Sequence, residues 1–340
     1  MTVMSQIAAG VAVLVCGITY PDTVPGQIVL YPDGHYVLPD GESVYTNGSK
    51  TSGLQEAVNR CVKDNLDLFV SGGDYKSRVY SCSESLVFPP MQGKVIRFGS
   101  ATLNFDGFAD RSQPGLLFDS CMNVQFECHA QIVYHLEGPA VRFEPKGNLP
   151  VDDFVGPTLI ASRFKFAAIS HVNTPVHMVG KDGGIPRDNL DAACMVIAPT
   201  HSITRCEFDI VELLGGNTGI RVDTPSGSGS FAFNHVKALF AHEQFHTSVM
   251  EGTKPGDPAN DKLRGNQWNV HCAPAPGAGA VQVHGTRGSW VLNVVAEKGA
   301  LKSGLETFAT TSGNHFQVLS LDGSISGPFH RENPGSNRFN

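Results

Sequence analysis

Residues 51 to 65, TSGLQEAVNRCVKDN, carry apolar side chains at Leu54, Ala57, Val58, Cys61 and Val62. That is the i, i+3, i+4, i+7, i+8 spacing of one helical face, so the stretch predicts an amphipathic helix with Thr51 or Ser52 at its start. Downstream the period changes. LDLFVSGGDY, SLVFPP, KVIRFGSATLNF, LLFDSCMNVQFECHAQIVY and AVRFEP are short apolar runs broken by Gly, Pro and Asp. They predict a series of strands with no helices between them. Upstream, QIVLYP and HYVLP flank Asp33-Gly34, a hairpin signal, and Asp40-Gly41 follows. Residues 1–50 therefore read as a small N-terminal β region or attachment segment, and residues 51–340 as the main domain.

The second half repeats. SFAFNHV, NQWNV and NHFQV share the form aromatic then Asn/Gln, and the chain ends NRFN. CEFDI and WVLNV are looser copies. The period is in the low twenties apart from one longer interval, which contains the polar stretch EGTKPGDPANDK. A second apolar run follows each copy: GIRVDT, SVMEGT, AVQVHG, GLETFA. Several short strands in a repeat of this length mean stacked coils, because one coil cannot bury its own inner side chains. Stacking would make Phe208, Phe233, Trp268, Leu292, Phe316 and Phe339 an internal column, with Phe126 and Phe164 as earlier members. On this reading Trp290 is the more exposed tryptophan. Asn234, Asn269, Asn293, Gln317 and Asn340 form a stacked amide column. The helix caps the open end of the first coil, where strand edges and apolar surface would otherwise face water.

Gly 37 and Pro 21 in 340 residues suit such a turn-rich all-β chain, and 41% hydrophobic residues supply a core. Net charge is −7, with no Lys/Arg run, which argues against nucleic acid. The eight cysteines form no C-x-x-C pair and read as buried free thiols of a protein made in a reducing compartment. The apolar N-terminus has no basic residue before Lys50. It lacks the positive start of a secretory signal and is short for a membrane span.

One motif points elsewhere. His242, Glu243 and His246 spell H-E-x-x-H, the helical zinc-protease signature. The segment follows a repeat copy, where strands and corners are expected, and no third ligand pattern follows it. A polar corner of a coil is the better reading, with no metal and no cofactor. The stronger charged constellation lies beside the aromatic column. Outward positions on neighbouring coils read Gln125, Arg163, Glu207 on one side and Glu127, Lys165, Asp209 on the other, with Glu212 further along the same coil. Carboxylates at short separations can act as acid and base on a glycosidic bond, and basic side chains can hold an acidic sugar. Glu207, Asp209 and Glu127 are the candidate catalytic residues, and Arg163, Lys165 and Glu212 the candidate substrate-binding ones. A surface ion-pair cluster is the other reading.

The run LQEAVNRCVKDN, SGGDY, SLVFPP and KVIRFGSATLNF resembles the start of right-handed single-stranded parallel β-helices of the pectate-lyase-like superfamily, including bacteriophage tailspikes and capsule depolymerases. The resemblance covers roughly residues 50 to 340, and none of the family's catalytic motifs can be placed residue by residue. It implies a homotrimer that binds, and in some members cleaves, a bacterial surface polysaccharide. It further implies residence in the virion after synthesis in the host cytoplasm, with residues 1–50 docking to other virion proteins and no membrane partner. A secreted, stand-alone polysaccharide lyase or glycoside hydrolase and a purely structural virion protein are the alternatives.

Overall fold

The computed structural model describes residues 26–73, 78–149, 156–172, 188–296, 300–308, 311–321, 330–331 and 337–339. Among them the chain forms three stacked sheets, of 15, nine and six strands, joined almost wholly by parallel pairing. A representative coil runs Ser202–Thr204 in the third sheet, Glu207–Gly215 in the first and Thr218–Val222 in the second. The next coil starts at Ser230–Ala232. This is an all-β parallel β-helix.

The expected second strands are the second sheet: Thr218–Val222, Thr247–Glu251, Gly279–Val283 and Ser303–Thr307 pair in that order. The helix spans Leu54–Lys63, inside the predicted 51–65, with Gly53 as its N-cap residue; Thr51 Oγ1 accepts from Gln55 N. It buries Leu54, Ala57, Val58 and Cys61. Its capping role has a specific chemistry. Gln55 Oε1 accepts from Val87 N at 2.7 Å and Nε2 donates to Val87 O at 2.9 Å. Val87 lies on Leu86–Phe88, the edge strand of the second sheet. One side-chain amide thus replaces a missing neighbour strand. The Asp33-Gly34 hairpin joins Gln27–Leu30 to His35–Val37, with Leu30 opposite Tyr36. Gln27–Leu30 also pairs in parallel with Asp67–Val70, so it belongs to the first sheet.

The internal column of the first sheet is Phe126, Phe164, Phe208, Val236, Trp268, Trp290 and Phe316, in register from coil to coil. Two expected members are elsewhere. Phe233 is 61% exposed and has φ 59°, because it forms the turn before the strand and Val236 takes its place inside. Leu292 is buried one inward position further on, beside Val270, and Trp290 is fully buried rather than exposed. A parallel stack of Phe88, Phe118 and Phe143 lines the second sheet, with ring centroids 4.4 and 4.7 Å apart.

The amide ladder includes the expected Asn234, but its other rungs are different asparagines. Asn234 Oδ1 accepts from Cys206 N, Asn266 Oδ1 from Asn234 N, Asn314 Oδ1 from Gly288 N and Asn337 Oδ1 from Asn314 N, at 2.7 to 3.1 Å. These are buried turn positions before the first-sheet strands, where stacked side chains satisfy backbone N–H groups that would otherwise be stranded. Asn269 and Gln317 instead share an outward row with Lys237 and Val291. Asn293 bonds the His271 ring, and Asn340 lies outside the described residues. Cys61, Cys82, Cys121, Cys128, Cys194, Cys206 and Cys272 are free and buried. Burial pushes thiols such as Cys61 and Cys272 up to about 12, so they act as core residues. Cys16 lies outside the described residues.

Candidate functional site

The predicted charged columns are in register. Gln125, Arg163 and Glu207 stand opposite one another on successive strands, as do Glu127, Lys165 and Asp209. Arg163 Nε lies 3.3 Å from Glu207 Oε2, and Arg97 Nε 3.3 Å from Glu127 Oε2. These partners are roughly half exposed, so each pair contributes little to stability. Glu212 is brought elsewhere: it stands opposite Ala168 and Phe240, and its Oε1 meets His242 Nε2 at 2.9 Å. That hydrogen bond holds the Glu212 carboxyl below its ordinary pKa, against desolvation.

The H-E-x-x-H residues do not share a helical face. His242 ends the strand His235–His242, and Glu243 turns the chain at φ 62°. The following corner is locked by Gln244, whose Nε2 donates to Leu213 O and His242 O and whose Oε1 accepts from Ser248 Oγ. The two imidazoles therefore do not stand at i and i+4 of one helix, the placement the zinc-protease signature needs.

A concave site lies on a different face. A cleft of about 390 Å³ opens over the outer side of the second sheet and is lined by Arg142, Arg221, Asp223, Thr224, Thr200 and Lys254, among others. None of the six predicted site residues lines it. Arg142 and Arg221 occupy the same outward row, with Val196 between them, so their Cα atoms are roughly two strand spacings, ~10 Å, apart. Arg221 is 7% exposed. Its Nη2 donates to Asp191 Oδ1 at 2.7 Å, and Asp223 Oδ1 lies 2.8 Å from Nε. The latter contact is off the N–H direction, so it is a charge contact rather than a directed hydrogen bond. Arg142 Nε donates to Glu144 Oε2 at 3.0 Å, and Lys146 Nζ reaches Glu144 Oε1 at 3.1 Å.

The carboxyls respond differently. Burial raises Asp223 above its ordinary pKa, more than the nearby Arg221 and Arg142 lower it. Glu144 is also desolvated, but Arg142 and Lys146 outweigh that effect and hold it below the usual carboxylate range.

The cleft has a sequence signal outside the aromatic repeat. Arg142-Phe143-Glu144 and Arg221-Val222-Asp223 are the same Arg-x-acid triplet at corresponding places of two coils. A strand alternates faces, so each triplet puts a cation and a carboxyl side by side outside the stack.

No protein-family model, curated protein or solved structure matches this chain.

Proposed function

We propose that the protein is a tailspike-like virion component that binds a bacterial surface polysaccharide, and that the second-sheet cleft receives an acidic sugar unit. The observation that carries this reading is the pair Arg142 and Arg221 on one outward row of a cleft also lined by Lys254. Guanidinium groups bind carboxylates through two parallel hydrogen bonds, and a cleft that excludes part of the water strengthens them. The chain's net charge of −7 disfavours polyanions at long range, so recognition would rest on these local contacts. A homotrimer, with residues 1–50 docking to other virion proteins, belongs to the same reading through the family resemblance.

Cleavage is a second reading with its own support. Asp191 and Asp223 both contact one guanidinium, that of Arg221, and Asp223 is held toward its protonated form. Two carboxyl groups flanking one site, one of them with its pKa raised by burial, are the kind of groups that glycoside hydrolysis uses.

The test is incubation with a panel of acidic and neutral capsular and O-antigen polysaccharides. Retention, product size, new reducing ends and unsaturated-uronate absorbance are followed. Retention of acidic glycans that is lost in Arg221→Ala supports the binding reading, and new reducing ends without uronate absorbance support hydrolysis. Absence of retention and cleavage across the panel would leave a structural virion role.

A further inference from the structure

Four successive coils enter the first sheet through one residue with positive φ, two positions before the strand. These residues are Arg205, Phe233, Gly265 and Arg287, at φ 54°, 59°, 67° and 55°. They form one column along the stack. Thr204 stands opposite Ala232 and Ala232 opposite Arg264, Arg264 is bridged to Thr286, and the column residue comes next in each coil. The N–H groups of Phe233 and Gly265 donate to Arg264 O and Thr286 O, both at 3.1 Å. The residue after each column member is buried, and there Cys206 N and Asn234 N donate to rungs of the amide ladder. The column is therefore a fixed edge of the molecule.

Phe233 is the unexpected member. Left-handed backbone disfavours side chains, and glycine takes the same place in the next coil. Phe233 adopts it while 61% exposed, so neither backbone preference nor burial accounts for the aromatic. Its ring is seated on Gly265, where a Cβ would come within 2.8 Å of both Cδ1 and Cε1. Backbone supports the ring on that side, and the rest faces solvent.

Cations surround this ring. Arg205 lies one coil before it in the column, Arg264 adjoins Gly265 one coil after it, and Arg287 follows one coil further. All three arginines are exposed, and none has a carboxylate partner among the described residues. Arg97, Arg163 and Arg221, by contrast, each contact one. A chain of net charge −7 thus gathers three uncompensated guanidinium groups around an open aromatic. From Arg205 to Arg287 is three strand spacings, ~14 Å.

We infer that this edge is a second binding site, on which a strand of acidic polysaccharide runs along the stack axis. The apolar face of one sugar ring packs on Phe233, and carboxylates of that unit and its neighbours pair with Arg205, Arg264 and Arg287. A nucleic-acid strand fits less well. Its phosphates follow at about 3.4 Å along each strand of a duplex, and single-strand sites offer successive aromatic platforms, whereas this edge has one aromatic and cations a coil or more apart. The ligand class rests on the function proposed above. The cleft on the second sheet is a separate contact for the same polymer, and two contacts on one chain reinforce each other.

The test is the affinity of the intact chain for sodium polygalacturonate, by isothermal titration at several salt concentrations. Dextran is the neutral probe and oligothymidylate the nucleic-acid one. Phe233→Gly suits φ 59° and should leave the unfolding midpoint little changed, while affinity falls at least about fivefold. Phe233→Tyr keeps the ring and should bind like the parent. Arg205→Ala combined with Arg264→Ala should lower affinity at least about tenfold and flatten its salt dependence. Parent-like affinity in the Phe233→Gly and double-arginine variants would overturn the proposal. So would absence of polygalacturonate binding by the parent, or tighter binding of oligothymidylate. Arg221→Ala separates this edge from the cleft. A loss there with parent-like edge variants removes the edge and leaves the cleft. Losses in the edge variants with parent-like Arg221→Ala leave the edge and remove the cleft, and losses in all of them support one polymer held at both.

Discussion

Trp268 and Trp290 stack face to face inside the coil, ring centroids 4.7 Å apart and planes within 2°. Both are buried, and together they are all the tryptophan in the chain. Parallel coils one strand spacing apart put equal residues directly above each other, so each ring loses its upper or lower partner if the other is truncated. Trp290→Ala is expected to cost ~3–5 kcal/mol in denaturant unfolding. Phe233→Ala, at an exposed turn position, should cost less than ~1 kcal/mol. Equal losses for the two would mean that the register described here is wrong.

Asn266 links two coils through one side chain. Its Oδ1 accepts from Asn234 N and its Nδ2 donates to Phe231 O and to Glu251 Oε1. Asn266→Ala strands a buried backbone N–H and a buried carbonyl together. The expected loss is ~2–4 kcal/mol, measured by thermal or chemical unfolding. Asn269→Ala, on the outward row, should change stability by no more than ~0.5 kcal/mol. A comparable loss at the two positions would remove the ladder assignment.

Register was legible where apolar and charged positions alternate strictly. RFKF and EFDI place Phe164 and Phe208 inside and their charged neighbours outside, and both outward columns came out in phase. The error at Phe233 has a physical origin. SFAFNHV carries two aromatics two apart, Phe231 on a third-sheet strand and Phe233 in the turn, and neither is the first-sheet member. The dependable marker is the turn asparagine, because its role is backbone satisfaction and does not depend on side-chain size. Asn234-x-Val236, Asn266-x-Trp268, Asn314-x-Phe316 and Asn337-x-Phe339 align on it. The cleft was harder to read. Second-sheet strands such as TGIRV are buried on both faces and show no alternation. Arg221 therefore looks like an interruption rather than a site.

Arg221 anchors the cleft, so its replacement should separate charge from shape. Arg221→Lys keeps a cation but loses the planar fork that can reach two carboxyls at once. Retention of an acidic polysaccharide is expected to fall at least about tenfold, with neutral polysaccharides unaffected. Arg163→Ala, on the first-sheet ladder, should leave retention unchanged if the cleft is the binding site. The measurement is affinity chromatography at two salt concentrations. A larger loss for Arg163→Ala would return the site to the charged ladder.

Two buried groups on successive coils, Glu251 and His284, make opposing contributions to the pH dependence of stability. Burial gives Glu251 a folded pKa of about 7 against an ordinary 4.5. Between those values the folded state holds the proton more tightly, so stability is lost as pH rises and levels off above about 7. His284 is the reverse, with burial holding its imidazole at about 4 in place of 6.5. Between those values the unfolded state holds the proton more tightly, so stability is lost as pH falls. Each slope is at most ~1.4 kcal/mol per pH unit, and across about pH 4.5 to 6.5 they oppose one another. The difference in unfolding free energy between each variant and the parent isolates one slope from the other titrating groups. Relative to the parent, Glu251→Gln should gain stability as pH rises through this window. His284→Phe, which keeps an aromatic ring to stack on Phe308, should lose it. The double variant should track the parent's pH dependence there. Variant-minus-parent differences that do not change with pH would mean that neither group is titrating inside the coil.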